Sequence, residues 1–309
     1  MIEFASGIYQ LKIPLPFAME PLNAWLVDSG DGWVLIDSGM HTAACWNALQ
    51  REVSATGVDW RDIQTLLITH MHPDHVGLAP HVKQASGAAI AMHRLDAGLL
   101  HDFAKPETAE HWNGVALRLA GSAADLAGPV NAAFHLLTVK FPDLSPDLLL
   151  EGGERFGGLE TLWTPGHSPG HLSFFDRKRK LLFSGDHILQ TTSPNIGWLP
   201  NGDPLADYLA SLEELAAQEV DFVLPGHGDP LANHQEWIRG ATRHHQERLS
   251  RIEQILAEPA SAHDIAGLLW NRALDPIHYR FAIFEVLAHL VHLAALGRVE
   301  KIGTVWRLT

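Results

Sequence analysis

Cysteine is nearly absent, since Cys45 stands alone in 309 residues. No disulfide can form within the chain, and no metal site can be built from thiolates alone. Cations are also few. Lys and Arg number 22 against 36 Asp and Glu, a formal charge of −14, which removes any general attraction to nucleic acid or to an anionic membrane. No apolar run approaches the roughly 18 residues that mark a membrane span. The first 16 residues lack the basic start and apolar stretch of a secretory signal, so a cytoplasmic location is expected. The remainder, 46% apolar and 19% charged, suits a folded chain with a sizeable core. Its excess lies in histidine, with 20 residues, nearly as many as Lys and Arg together. Histidine is the commonest metal ligand and the usual acid–base group near neutrality.

Short apolar runs alternate with helical spacing, which predicts a mixed α/β chain. Residues 23–27 and 33–36 flank the turn-forming Asp28-Ser29-Gly30-Asp31-Gly32 and read as a hairpin. Residues 42–56 have helical spacing. Compact strands are expected at 65–69, 88–92, 159–163, 172–175, 181–183 and 222–224, and a helix over 204–218. From 101 to 150 strand patterns give way to helix formers, which reads as an inserted helical segment. Past residue 235 helices return over 236–257, 263–270 and 279–296, before a last strand at 304–308. The expected division is residues 1–240, carrying the insertion at 101–150, and a helical module at 241–309.

The densest chemistry is Thr69-His70-Met71-His72-Pro73-Asp74-His75. Alternation along a strand puts His70 and His72 on one face, where both could reach one ion. Pro73 ends the strand and lets Asp74 and His75 turn toward a second point. His167, Asp186 and His227 each follow an apolar strand and each is preceded by glycine, which permits sharp turns and close approach. These seven residues suit two ions. His70, His72 and His167 would hold the first; Asp74, His75 and His227 would hold the second; Asp186 would bridge them. Two ions about 3.5–4 Å apart can share a hydroxide and stabilise charge on oxygen during its attack. A nitrogen and oxygen set without thiolate suits zinc, with iron or manganese as alternatives. Histidines elsewhere, such as His93, His245 and His289, are read as solvated or structural.

Taken in order, these motifs resemble those of the metallo-β-lactamase-fold hydrolases. His70-Met-His-Pro-Asp-His75 matches the HxHxDH motif, and Thr164-Pro-Gly-His167, Ser184-Gly-Asp186 and Pro225-Gly-His-Gly228 match the later ligand motifs. Asp37-Ser-Gly39 matches the DSG element. The resemblance spans residues 1–235. It implies an αβ/βα sandwich with a metal centre at one edge and the ligand assignment just given. With Asp74 present and Asp186 where true β-lactamases have cysteine, the chain looks like the glyoxalase II, lactonase and ribonuclease branches.

Beside the ligands, Asp37 could fix the tautomer of a ligating histidine, and His171 could orient a ligand. His187, and Asn195 and Trp198 in the loop after Asp186, are candidate substrate contacts. By family analogy the insertion lies near the site, where Trp112, Leu117, Leu119, Phe134, Leu136 and Leu137 could face substrate; ordinary helix packing is the favoured reading. Residues 261–309 resemble the small winged-helix-like module of β-lactamase-like 2 proteins. Five cations against four carboxylates there do not make a basic stripe, so packing against the main domain or a partner subunit, as in a homodimer, is preferred to nucleic-acid binding.

The function expected is hydrolysis of a small acyl substrate by attack of the metal-bridging hydroxide. Asp74 would orient the hydroxide. Thioesters come first, an acyl-CoA or S-acylglutathione, because a thiolate leaves without acid help. The alternatives are a lactonase, a metal-dependent endoribonuclease, a largely non-catalytic binding module, and an iron site with redox chemistry.

Overall fold

The computed structural model describes every residue except 17–19, 104, 139–141, 143 and 192, and all further side chains except those of residues 106, 137 and 138. Seven strands lie side by side in chain order: β1 (Ile2–Ala5), β2 (Ile8–Ile13), β3 (Leu22–Asp28), β4 (Trp33–Ile36), β5 (Ile63–Leu67), β6 (Ala89–His93) and β7 (Leu148–Leu150). The first four pair antiparallel, and β5, β6 and β7 continue in parallel with β4. A second sheet contains β8 (Arg155–Phe156), β9 (Leu159–Trp163), β10 (Leu172–Asp176), β11 (Leu181–Gly185) and β12 (Phe222–Pro225), in the order β12-β11-β10-β9-β8.

Period-two alternation assigns each strand residue to a layer. Trp25 and Val27 of β3, Ile36 of β4, Phe174 of β10, Phe183 of β11 and Leu224 of β12 form the core between the sheets. Their neighbours Ala24, Leu26 and Leu35 face the other way, onto α1 (Ala43–Thr56), α2 (Pro73–Val76) and α3 (Ala79–Ser86). Helix α1 begins at Thr42, whose hydroxyl accepts the Cys45 N–H at 3.2 Å, and stops at Gly57 in the left-handed region. Phe175, Leu182 and Val223 face outward from the second sheet. The result is the αβ/βα sandwich expected from the motifs.

The insertion is α4 (Arg94–Phe103), α5 (Pro106–Leu119) and α6 (Ala127–Thr138). Two details differ from expectation. Helix begins at Arg94, earlier than residue 101, and residues 148–150 are an edge strand rather than helix. Three consecutive leucines carry no alternation, so only the pairing of Ala91 with Leu148 reveals them as strand. The N-terminal pair β1–β2 also escaped the sequence reading.

After α7 (Pro204–Ala216) come α8 (His234–Ile255), β13 (Ala260–Ser261), α9 (Ala262–Trp270), α10 (Pro276–Ala295), β14 (Val299–Ile302) and β15 (Val305–Leu308). The last three strands form a small sheet in the order β13-β15-β14. Ile283, Leu287 and Leu290 of α10 share one core with Tyr208 of α7, Leu182 of β11 and Ala116 of α5. The C-terminal helices are thus packed into the back of the second sheet. Among the described residues no helix is long and apolar enough to cross a membrane.

Candidate metal centre

Strands β4 and β5 are parallel, as are β11 and β12, and β9 runs with β11 because both oppose β10. Their carboxyl ends meet at one edge of the sandwich, and each releases a loop carrying candidate ligands. β5 ends at Leu67, two residues earlier than the alternation suggested, so His70 and His72 sit in a loop rather than on one strand face. They converge all the same. His72 is the residue before Pro73, which opens α2 at its first position, and the turn brings different ring nitrogens together.

His70 Nε2 lies 2.9 Å from His72 Nδ1, which lies 3.0 Å from His167 Nε2. Two nitrogens on one tetrahedral ion, each about 2.0–2.1 Å away, stand ~3.3 Å apart. Burial and the neighbouring imidazoles push His70 well below its ordinary value and His72 to about 3; burial also lowers His167. Three neutral rings therefore offer lone pairs to one point.

The second group is Asp74, His75 and His227. His227 Nε2 is 3.3 Å from Asp74 Oδ2, and His75 Nε2 is 3.3 Å from Asp186 Oδ1. Asp186 faces both groups: Oδ1 is 3.7 Å from His227 Nε2, and Oδ2 is 3.8 Å from His167 Nε2. Burial alone would lower His75 and His227. Asp186 and the other nearby carboxylates outweigh it, holding His75 well above its usual value and His227 at about 9. Burial works against ionised Asp74, yet His75 and His227 hold its carboxyl down at about 2. The surrounding carboxylates thus favour positive charge at this point. His75 Nε2, Asp186 Oδ1 and His227 Nε2 are buried without a hydrogen bond, facing a common point, which is the behaviour of a metal-ligand set.

Close packing makes this convergence specific. A Cβ on Gly226 would stand 2.5 Å from Asp186 Oδ1 and 2.8 Å from His75 Cε1. Gly185, at φ +50°, would place one 2.8 Å from His171 Nε2.

The surrounding hydrogen bonds fix each ring. Asp37 accepts His75 Nδ1–H at 2.8 Å and the Thr69 N–H at 2.9 Å, while the Thr69 hydroxyl lies 2.9 Å from Asp37 Oδ2 and 3.0 Å from His70 Nδ1. One carboxylate thereby supports both groups. His171 Nε2 accepts the Asp186 N–H at 3.2 Å, and its Nδ1 bonds the Thr164 hydroxyl. His227 Nδ1 donates to the carbonyls of Glu20 and Pro21. Asn23 Nδ2 donates to the carbonyls of Pro225 and Gly228, bracketing His227.

The three residues expected to contact substrate each have protein neighbours. His187 is fully buried, its ring 4.7 Å from that of Tyr208. Asn195 meets the site through its carbonyl, which accepts His167 Nδ1–H at 3.0 Å, while its side chain turns to Glu285. Trp198 packs against Phe284 and Trp112. In the insertion, Trp112 and Leu119 pack on the core, Leu117 is buried, Phe134 covers Arg280, and Leu136 is exposed; the Leu137 side chain lies outside the described residues.

Asp96, at the start of α4, escaped the sequence reading. It is buried and accepts the Met71 N–H at 2.9 Å, the Ser168 hydroxyl at 2.7 Å and the Gly170 N–H at 2.6 Å, joining the His70–His72 loop to the His167 loop. Burial pushes its carboxyl from 3.8 up to about 6. Between those values the folded chain keeps a proton that the unfolded chain has released, so stability falls as pH rises across this window and then levels. Asp96→Asn removes that slope. Urea midpoints measured from pH 4 to 7 should show wild type losing up to about 3 kcal/mol relative to the variant. Parallel curves would refute the assignment.

A family model described as the metallo-beta-lactamase superfamily matches residues 20–227, and one described as the metallo-beta-lactamase-like C-terminal domain matches 249–307. The probable metallo-hydrolase YqjP of Bacillus subtilis is 28% identical, with 97% of this chain and 95% of YqjP covered. The acyl-coenzyme A thioesterase MBLAC2 of Gallus gallus is 26% identical over 72% of this chain and 78% of its own length. The crystal structure of the metallo-beta-lactamase family protein TTHA1429 from Thermus thermophilus superposes with a TM-score of 0.86 at 28% identity, covering 99% of both chains.

Proposed function

The chain belongs to the metallo-beta-lactamase superfamily, and from this we propose that it is a dinuclear metal-dependent hydrolase of small acyl thioesters, an acyl-CoA or S-acylglutathione. The observation that carries the reading is Asp186, whose two oxygens face two separate groups of histidine and carboxylate ligands. Two divalent ions held there supply Lewis acidity to the substrate carbonyl and lower the pKa of water to a useful range.

The chain's own residues do the rest. His70, His72 and His167 present neutral nitrogens, and Asp186 sets the spacing of the two positions. Asp74, ionised and only partly covered, would help hold the second ion and would orient the attacking hydroxide toward the carbonyl. A thiolate leaves readily, so no buried acid is required on the departing side. The similarity to MBLAC2 supports a thioester over other acyl compounds.

Charge pairing counts against RNA. Among the described residues, Arg248, Arg298 and Arg307 of the C-terminal segment are bound to Glu285, Glu253 and Glu300, and Arg280 is buried between phenyl rings. Half of the eight Lys and Arg of residues 241–309 are thereby engaged, which weakens the case for phosphate binding.

The test is thiol release from a panel of acyl-CoA and S-acylglutathione thioesters, with zinc-loaded wild type beside His72→Ala. Wild type should release thiol and the variant should fall to background. No release by wild type holding two ions would refute the thioester assignment and favour lactones. Metal analysis of the purified protein distinguishes zinc from iron or manganese.

A further inference from the structure

Two of the four histidines that carry an inward-facing Nε2 are oriented by side chains at the ends of β4 and β5, and a third by the backbone that leads directly into β3. His75 is held by Asp37, His70 by the Thr69 hydroxyl, and His227 by the carbonyls of Glu20 and Pro21. His167 differs. Its Nδ1–H donates to the carbonyl of Asn195, in a segment with no helix or strand of its own. A carbonyl in such a segment points where its tethers make it point.

Those tethers come from the C-terminal helices. Asn195 Nδ2 donates to Glu285 Oε2 at 3.0 Å, and the other Glu285 oxygen accepts from Arg248 Nη1 at 2.8 Å. The Arg248 guanidinium lies 4.9 Å over the ring of Trp270. On one side of Asn195, the Ser193 hydroxyl lies 3.2 Å from His245 Nε2; on the other, the Trp198 N–H donates to the Phe284 carbonyl at 2.9 Å. Residues 193–198 are thus pinned at three points to α8 and α10.

We propose that Glu285 is a positioning residue for the first metal position. Held by Arg248, it fixes Asn195 so that the Asn195 carbonyl selects the Nδ1–H tautomer of His167 and aims Nε2 inward. The C-terminal segment is on this view a working part of the metal centre. The inference rests on the reading of His70, His72 and His167 as ligands of one ion, but not on the identity of the substrate.

The experiment uses the full chain. Zinc dissociation constants are measured by competition with a chromophoric chelator, and the visible spectrum of the cobalt-substituted protein is recorded. Glu285→Ala should weaken one of the two ions about 10–100-fold, as loss of an outer partner does. It should alter the cobalt spectrum and leave the other ion unchanged. Glu285→Gln keeps an acceptor oxygen toward Asn195 and should recover most of the affinity. Asn195→Ala should reproduce the Glu285→Ala loss, and it carries the test if that variant does not fold. The double variant should be no weaker than either single one, since both cut the same link.

A lower Tm with both zinc affinities and the cobalt spectrum unchanged would show a merely structural role and overturn the proposal. Additive losses in the double variant would overturn it as well. Wild type holding no ion would instead defeat the metal reading on which it stands.

Discussion

Asp186→Ala should lower turnover about a thousandfold, ~4 kcal/mol in the barrier, because in the proposed dinuclear centre both ion positions share this one carboxylate. Its oxygens face His75 and His227 on one side and His167 on the other. No neighbouring group can take its place. Among the described residues, Asp74 lies on the side of the second group, and Asp37 is committed to Thr69 and His75. The backbone at residue 186 is itself held by His171, so the truncated side chain leaves a gap that the main chain cannot close. Asp186→Asn separates charge from shape, since the amide retains one oxygen and loses the negative charge. It should keep the fold and lose most activity, with metal content falling below two per chain. Steady-state rates on protein matched for metal content decide the matter. Normal turnover in either variant would refute the bridging assignment.

Asp37→Ala should destabilise the fold by about 3–5 kcal/mol, the loss typical of breaking a buried charged partner. Asp37 sits at φ 59°, a left-handed conformation that costs a non-glycine residue energy, at the carboxyl end of β4. The strain is tolerated because the turn aims the carboxylate at Thr69 and His75. With alanine the strain remains, while the Thr69 N–H and the His75 Nδ1–H lose their acceptor in a dry site. Asn tolerates the same backbone and keeps one acceptor oxygen, so Asp37→Asn should lose distinctly less. Urea unfolding of the metal-free proteins provides the comparison. An Asp37→Ala midpoint equal to wild type would mean that the site does not depend on this turn.

What the sequence made legible follows from how local each signal is. His70, His72, Asp74 and His75 crowd into six residues, and His167, Asp186 and His227 each follow an apolar run and a glycine. Such patterns survive in one dimension because the strand end and its ligand are neighbours in the chain. Asp37 was visible for the same reason, at the end of Trp33–Ile36. Asp96 was not, because two of its partners are backbone N–H groups, of Met71 and Gly170, which leave no mark on residue type, and the third, the Ser168 hydroxyl, is distant in the chain. Asn195 was noticed for its side chain, whereas the carbonyl that every residue carries is the part that meets His167. Trp198 and His187 are expected near substrate from the sequence, whereas only tertiary packing reveals that His187 lies against Tyr208 and Trp198 against Phe284 and Trp112. In the fold, the hairpin before residue 22 and the strand Leu148–Leu150 were missed because pairing, rather than composition, defines them.

The parts of the centre are spread from Asp37 to Glu285, and this spacing sets an order on how the protein matures at the ribosome. The cluster at residues 70–75 emerges early, with His70 and His72 already able to touch an ion. The first trio is complete only after His167 has appeared, and the second only after His227. The carbonyl that orients His167 gains its anchor later still, when α10 leaves the exit tunnel and docks. Because metal ligation and long-range pairing are linked in this way, the proposed first ion position would gain its full hold only once α10 has docked. A product ending before α10 would carry the histidine cluster at residues 70–75 and lack the Glu285 anchor of the Asn195 carbonyl.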